Sequence, residues 1–465
     1  MQIKLFLLLI IACSLFGCRE NNEKAESHYS AKELSTQSIR YGPAAPSYTI
    51  DAVYEESTHA ISATMQVSFE NNFEPEMTSV YFSIWPNAQV FTDGKIDIQE
   101  VLSEEKRLPY EVDDTTLKVS ELSIPQDQQI TLDIAFQVTI PEDKHRFGWS
   151  GKQVSLGNWF PILAVHDSHG WNLHPYFDYG ESFYSLNGDY DVRFTLPNSI
   201  HVVATGEVNE TRSVGDQKTH HFTAKNVRDF AAVFYSKRVA KKQRVEDTDI
   251  FVYAYDDEEA ALIMDAATKS FTTYSELFGP YPWDTLTLTS VDYSENFDGG
   301  MEYPQLVMMN TPFLNDEENL AVTVMHEVAH QWFYSLVGNN PYREPWLDES
   351  LTTFASYVAY YDTATFDWID DEPLKYSITS AVSDFAESDM DVYGDIMYDS
   401  GALMLSNLHR KLGDEKFYKG LRAYVKEMTF HIATTADFIR IMQEQSGENL
   451  EEFFTSHQVF LEETR

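Results

Sequence analysis

His326 and His330 stand four residues apart in the stretch Met325-His326-Glu327-Val328-Ala329-His330-Gln331-Trp332, and that spacing restricts the local backbone more than anything else in the chain. On an α-helix it puts both imidazoles on one face, one turn apart. The flanks agree with a helix. Ala321, Val324, Met325, Val328, Ala329 and Trp332 form an apolar stripe, and no Pro or Gly interrupts it before Gly338. Two neutral imidazoles so placed can hold a zinc ion, with Glu327 beside them as a general base. A catalytic zinc takes three protein ligands and keeps a position for water. The third candidate is Glu349, after eighteen intervening residues. It begins a second helical stretch, Glu349 to Tyr361, beyond the turn signals Gly338-Asn339-Asn340-Pro341. A helix, a loop and a helix then bring together His326, His330 and Glu349 around one zinc per chain. The competing reading, an amphipathic helix with two half-buried histidines, leaves Glu349 as an ordinary surface carboxylate. The longer zinc motif with a further Gly and His is absent, since Phe333 and Leu336 occupy those positions.

Upstream the hydrophobic period is two. Ile61, Ala63, Met65, Val67 and Phe69 alternate with polar residues, as do Ile130, Leu132, Ile134, Phe136, Val138 and Ile140. Such runs are half-buried strands. Others follow at Tyr190 to Leu196, Ile200 to Ala204 and His220 to Ala224, separated by turn signals such as Asp93-Gly94 and Gly215-Asp216. Residues 46–240 therefore read as an N-terminal β domain of sandwich type. Within it, Trp149, Trp159, Trp171, His174, Tyr176 and Phe177 either line a substrate groove or pack loops over a sheet. His166, His169 and His174 have no ligand spacing.

The net charge of −41 excludes nucleic acid as a partner, because phosphate binding needs a basic face. It reads as a heavily solvated surface. Residues 1–17 have one charge at Lys4 and an apolar run from Leu5 to Ala12, too short to span a bilayer and suited to a secretory signal. The run ends in Leu15-Phe16-Gly17-Cys18, which resembles a bacterial lipobox and makes Cys18 the expected lipidation site. Cys13 leaves with the signal, so a chain starting at lipidated Cys18 has no free thiol and no disulfide. Residues 18–45 are polar and without period, a tether between lipid and domain. The expected location is extracytoplasmic, lipid-anchored to a bacterial cell membrane.

Helical patterning begins near Asp257 and stops at Gly279-Pro280-Tyr281-Pro282. A short strand around Leu286 and Leu288 leads to Gly299-Gly300-Met301-Glu302-Tyr303-Pro304. The two glycines let a backbone approach a ligand closely. Glu302 then sets a carboxylate beside a strand edge to which an extended peptide can add.

These residues resemble the M1 family of zinc aminopeptidases, a gluzincin family. Its zinc motif is matched in full by His326, Glu327, His330 and Glu349. Its Gly-x-Met-Glu-Asn motif is matched at Gly299, Met301 and Glu302, with Tyr303 where Asn is usual. The resemblance implies that Glu302 holds the substrate's α-amino group, with Gly299, Gly300 and Met301 lining the same edge. It also implies a tyrosine that stabilises the transition state. Tyr398, in Tyr398-Asp399-Ser400-Gly401-Ala402, is the first choice and Tyr393 the rival. The implied fold is α+β multidomain: a saddle-like β domain, then a mainly helical, thermolysin-like catalytic domain over residues 241–465. Residues 403–465 read as a few more helices, such as Phe417 to Met428 and Ala436 to Gln445, with no room expected for the large helical C-terminal domain of many members, so a more open cleft is expected. The expected activity is removal of N-terminal residues from peptides with a free N-terminus. A thermolysin-like endopeptidase on the same site and a non-catalytic peptide-binding lipoprotein are the alternatives, and the intact Glu327 argues against the latter.

Overall fold

The computed structural model describes residues 41–461 apart from 178, 295–298, 314–315, 364 and 367–373. The expected signal at 1–17, the lipidation site Cys18 and residues 18–40 of the tether lie outside the described residues.

The alternating segments pair as their period requires. Ala60–Glu70 runs antiparallel to both Ala44–Glu55 and Gln129–Thr139 at the centre of an eight-stranded sheet. Its apolar set Ile61, Ala63, Met65, Val67 and Phe69 is buried, and its polar set faces outward. A single-residue slip would exchange the two faces, so burial fixes the register. One edge strand, Glu207–Val214, is exposed along its whole length. Its Glu207, Glu210 and Arg212 discourage pairing with another chain. Two four-stranded sheets and two two-stranded ones complete this region among the described residues. The aromatic-rich stretch mostly packs: Trp159 is fully buried, Trp149 stacks on His59, and Trp171 packs edge-on to Phe73. His174 and Phe177 instead reach Tyr342 of the following region.

A five-stranded mixed sheet opens the second region, in the order Val239–Val245, Thr248–Ala254, Thr285–Ser290, Leu306–Met309, Gly300–Met301. Helix α1 (Asp257–Phe278) connects two of its parallel strands. Asp256 caps it by accepting from the N–H groups of Glu258 and Glu259, and Gly279 ends it at φ 121°. The face carrying Ile263, Ala267, Phe271 and Tyr274 is buried, and the Tyr274 hydroxyl donates to the Met325 carbonyl at 2.8 Å. That contact seats helix α2 (Glu317–Ala329) on α1. Helix α3 (Trp346–Tyr361) packs against α2, and the helices Gly401–Met428 and Thr435–Ser446 pack behind it. Among the described residues no helix is long and apolar enough to cross a membrane.

Among the described residues two large cores belong to the two regions and two small ones straddle them, the lesser made by Val165, Tyr184 and Ile432. The larger of these two joins Val203, Val233 and Tyr235 of the β region to Met301, Tyr303 and Met308. A further tie is Arg228. This fully buried guanidinium donates to the carbonyls of Tyr334 at 2.6 Å, Ser185 at 3.0 Å and His431 at 3.2 Å.

Candidate active site

Helix α2 buries Leu320, Val324, Met325, Val328 and Ala329 against its neighbours. Its 3.6-residue period then turns His326, Glu327 and His330 toward α3 and the strand edge. The helix ends at His330, whose ring Nδ1–H donates to the Phe333 carbonyl at 3.1 Å. That bond leaves Nε2 with a free lone pair. The Nε2 atoms of His330 and His326 face each other at 3.1 Å. Oε2 of Glu349, in the first turn of α3, lies 3.3 Å from His326 Nε2 and 3.6 Å from His330 Nε2. It nevertheless receives no well-aligned hydrogen bond, although it is buried. Thr353 Oγ1 sits 3.4 Å from the other nitrogen of His326 and steadies its ring.

Three ligand atoms converging this closely in a buried site suit a cation. Zinc–ligand bonds of about 2.1 Å in a tetrahedral site imply ligand–ligand edges of about 3.4 Å. The three edges here, 3.1, 3.3 and 3.6 Å, bracket that value. His326, His330 and Glu349 therefore fit zinc, and the donor set of two imidazoles and one carboxylate suits it chemically.

Around the triad lie further carboxylates. The ligand atoms of Glu302, Glu327 and His330 fall within 4.8 Å of one another. Burial, then the charge of Glu302, pushes the Glu327 carboxyl well above the usual range, while His330 opposes this. Oε2 of Glu327 is buried without a partner, so it is poised for a proton. Gly300 passes directly over this residue. A Cβ there would lie 2.6 Å from Glu327 Cγ, so the strand edge can approach only as glycine. Gly299 before it has φ 124°. Glu302 is 6% exposed, between Met301 and Tyr303 of the larger straddling core. The Tyr303 hydroxyl donates to Asn158 Oδ1 of the β region at 3.2 Å.

Tyr398 lays its ring against His326, centroids 5.8 Å apart. Part of the ring is exposed, yet burial of the hydroxyl, then the charge of Glu349, raises its pKa far above the ordinary value. Tyr393 packs against Tyr179 and Phe385 instead.

Two residues escaped the sequence reading. Glu181 of the β region binds Nη1 of Arg146 through both oxygens, at 3.0 and 2.8 Å. Burial, with Glu302 and Glu349 nearby, pushes its carboxyl up to about 8 against the pull of Arg146. Gln331 clamps the strand edge to α2: its Oε1 accepts from Gln305 N–H at 2.9 Å, and its Nε2 donates to the Glu302 and Tyr303 carbonyls. Gln331 was signalled only by its place beside His330. Nothing in the local sequence links Glu181 to residues more than a hundred positions away.

Residues 262–457, which span both histidines, Glu349 and Tyr398, match the peptidase family M1 domain. The chain carries an M1 peptidase domain. It is 32% identical over 217 residues to aminopeptidase M1-D of Oryza sativa subsp. japonica, covering 42% of this chain and 24% of the relative. It is 28% identical over 229 residues to the tricorn protease-interacting factor F2 of Thermoplasma volcanium, covering 44% and 29%. Rat (Rattus norvegicus) aminopeptidase B is 29% identical over 228 residues, covering 45% and 34%. The alignments thus span a quarter to a third of these relatives' lengths. The M1 domain holds the His–His–Glu group, whereas Glu181 and Arg146 come from the β region that precedes it.

Proposed function

We propose that this protein is a zinc-dependent aminopeptidase, held outside the cytoplasm by a lipid on Cys18. The reading rests above all on one observation: the Glu302 and Glu327 carboxylates lie within 4.8 Å of each other and of His330. A carboxylate for an ammonium thus stands beside a carboxylate for a proton, next to three zinc ligands. When bound by His326, His330 and Glu349, zinc polarises the scissile carbonyl and lowers the pKa of water. Glu302 pairs with the α-ammonium of the substrate, and this fixes which peptide bond is presented. Glu327 accepts a proton on its unpartnered Oε2 from the attacking water and returns it to the leaving amine. The Tyr398 hydroxyl donates to the carbonyl oxygen as negative charge gathers there. Gly299, Gly300 and Met301 offer main-chain groups along which an extended peptide lies.

The test compares the parent and Glu302→Gln on free and N-acetylated aminoacyl substrates. A charge-assisted contact of about 1.5–3 kcal/mol corresponds to one to two orders of magnitude in kcat/KM. Glu302→Gln is expected to lose that factor on free amines while keeping its zinc. Acetylated substrates are expected to be cut slowly by both proteins. Equal cleavage of free and acetylated peptides by the parent would replace this reading with an endopeptidase.

A further inference from the structure

Tyr398 lies in a π-helical segment, Asp395–Ser400, that runs directly into the helix Gly401–Met428. Such wide turns are rare and occur mostly at functional sites. Here the Gly401 N–H is directed to the carbonyls of Ile396 and Tyr398 and passes over that of Met397. The Met397 carbonyl takes a hydrogen bond from the Ser350 hydroxyl at 2.6 Å. Ser350 is fully buried on α3 and follows Glu349 in sequence. Two hydroxyls of α3 bond carbonyls of their own helix, Thr352 Oγ1 those of Asp348 and Glu349 at 2.9 Å and Ser356 Oγ that of Thr353 at 2.9 Å, whereas Thr353 Oγ1 faces His326 of α2. Such back-bonding is the ordinary habit of a helical hydroxyl, and Ser350 departs from it to reach a different element. The opposing surface is shaped to receive it, since a Cβ on Gly401 would lie 1.9 Å from Ser350 Oγ.

We infer that Ser350 is a positioning residue for Tyr398. It ties the carbonyl just before Tyr398 to the helix that carries Glu349, and so sets the tyrosine hydroxyl in register with the His326, His330 and Glu349 group. Without that tie the segment can wind as an ordinary α-helix. Loss of one residue from the turn rotates Tyr398 by roughly 100° about the axis. The inference rests on the proposed role of Tyr398 as a hydrogen-bond donor to the reacting carbonyl.

A double-mutant cycle tests it with the full chain: parent, Ser350→Ala, Tyr398→Phe and the double variant, with Gly401→Ala as an independent way to crowd the same contact. Turnover, KM and zinc content are read for each. Tyr398→Phe is expected to lower kcat by about tenfold to a hundredfold. Ser350→Ala is expected to lower kcat by about fivefold to tenfold, with KM and zinc unchanged. The double variant should be no slower than Tyr398→Phe alone, because both changes act through one hydroxyl. Full kcat in Ser350→Ala beside an impaired Tyr398→Phe overturns the positioning role alone. Full kcat in Tyr398→Phe overturns the donor assignment beneath it. Losses that multiply in the double variant also overturn the positioning role. Should Ser350→Ala lose zinc or unfold, the same cycle is run with Gly401→Ala, and multiplying losses there overturn it equally.

Discussion

Replacing Gly300 with alanine asks whether the strand edge and the general base are fitted to each other. The new Cβ would lie 2.6 Å from Cγ and 2.7 Å from Cδ of Glu327, and 2.8 Å from the Met308 carbonyl oxygen. Carbon atoms rest at about 3.5–4.0 Å, so some group must retreat by roughly 1 Å. The Met308 carbonyl cannot easily do so, because the strand Leu306–Met309 is held between Gly300–Met301 and Thr285–Ser290. Glu327 is therefore the group displaced. A misplacement of about 1 Å at a reacting group costs about a hundredfold in rate. Gly300→Ala is thus expected to cut kcat by about that factor, and to keep its zinc because no ligand is touched. Gly394→Ala is the matched comparison, close to Tyr398 in sequence but with nothing within 4 Å of its added carbon; it should remain active. The assay is turnover of a free-amine aminoacyl chromogenic substrate beside metal analysis of the same samples. Full turnover in Gly300→Ala, or equal losses in both variants, would refute the reasoning.

Three further outcomes are expected. His326→Ala and His330→Ala should each lose most of the single zinc per chain, read by elemental analysis; full occupancy in both removes them as ligands. Glu327→Gln keeps the shape but cannot accept the proton, so zinc should stay while turnover falls about a hundredfold or more; near-normal turnover would take Glu327 out of the mechanism. Cys18→Ser should abolish lipid labelling and release the protein from the membrane fraction, and continued tight membrane association would mean a different anchor.

The parts of the structure legible in the sequence are those where a local period meets one buried face. Ile61 through Phe69 alternate because one side of the sheet is core, and α1 follows its apolar face from Asp257 to Phe278. The second helix begins at Trp346 rather than at Glu349, because Pro345 and the buried Trp346 start the turn earlier. The convergence of His326 and His330 was legible because four residues make about one helical turn. That of Glu349, named as the third ligand, was legible from the turn signals and second helix that follow His330 and from the family resemblance, not from a helical period. The pairing of Arg146 with Glu181 was not legible, since two isolated charges in loops have no period. The wide turn at Asp395–Ser400 was hidden for a related reason: it depends on a hydroxyl from another helix, which no local pattern encodes. Tyr303 shows the same limit. In sequence it is a departure from a motif, whereas in space its hydroxyl is seated on Asn158 and its ring fills the core shared by both regions.

The buried guanidinium of Arg228 bears on how the molecule can be dissected. Its three acceptors are main-chain carbonyls, and the Tyr334 hydroxyl adds a side-chain bond across the same seam, to Asp229 at 2.8 Å. Separating the two halves near residue 240 would break its two charge-assisted bonds across the seam, to Tyr334 and His431, worth about 1.5–3 kcal/mol each, and would expose the apolar surface of the shared core to water. The histidine-bearing half is therefore not a portable module. Heat or denaturant should melt both halves in one concerted step, and a protease that nicks the connecting segment should leave the two pieces clasped together.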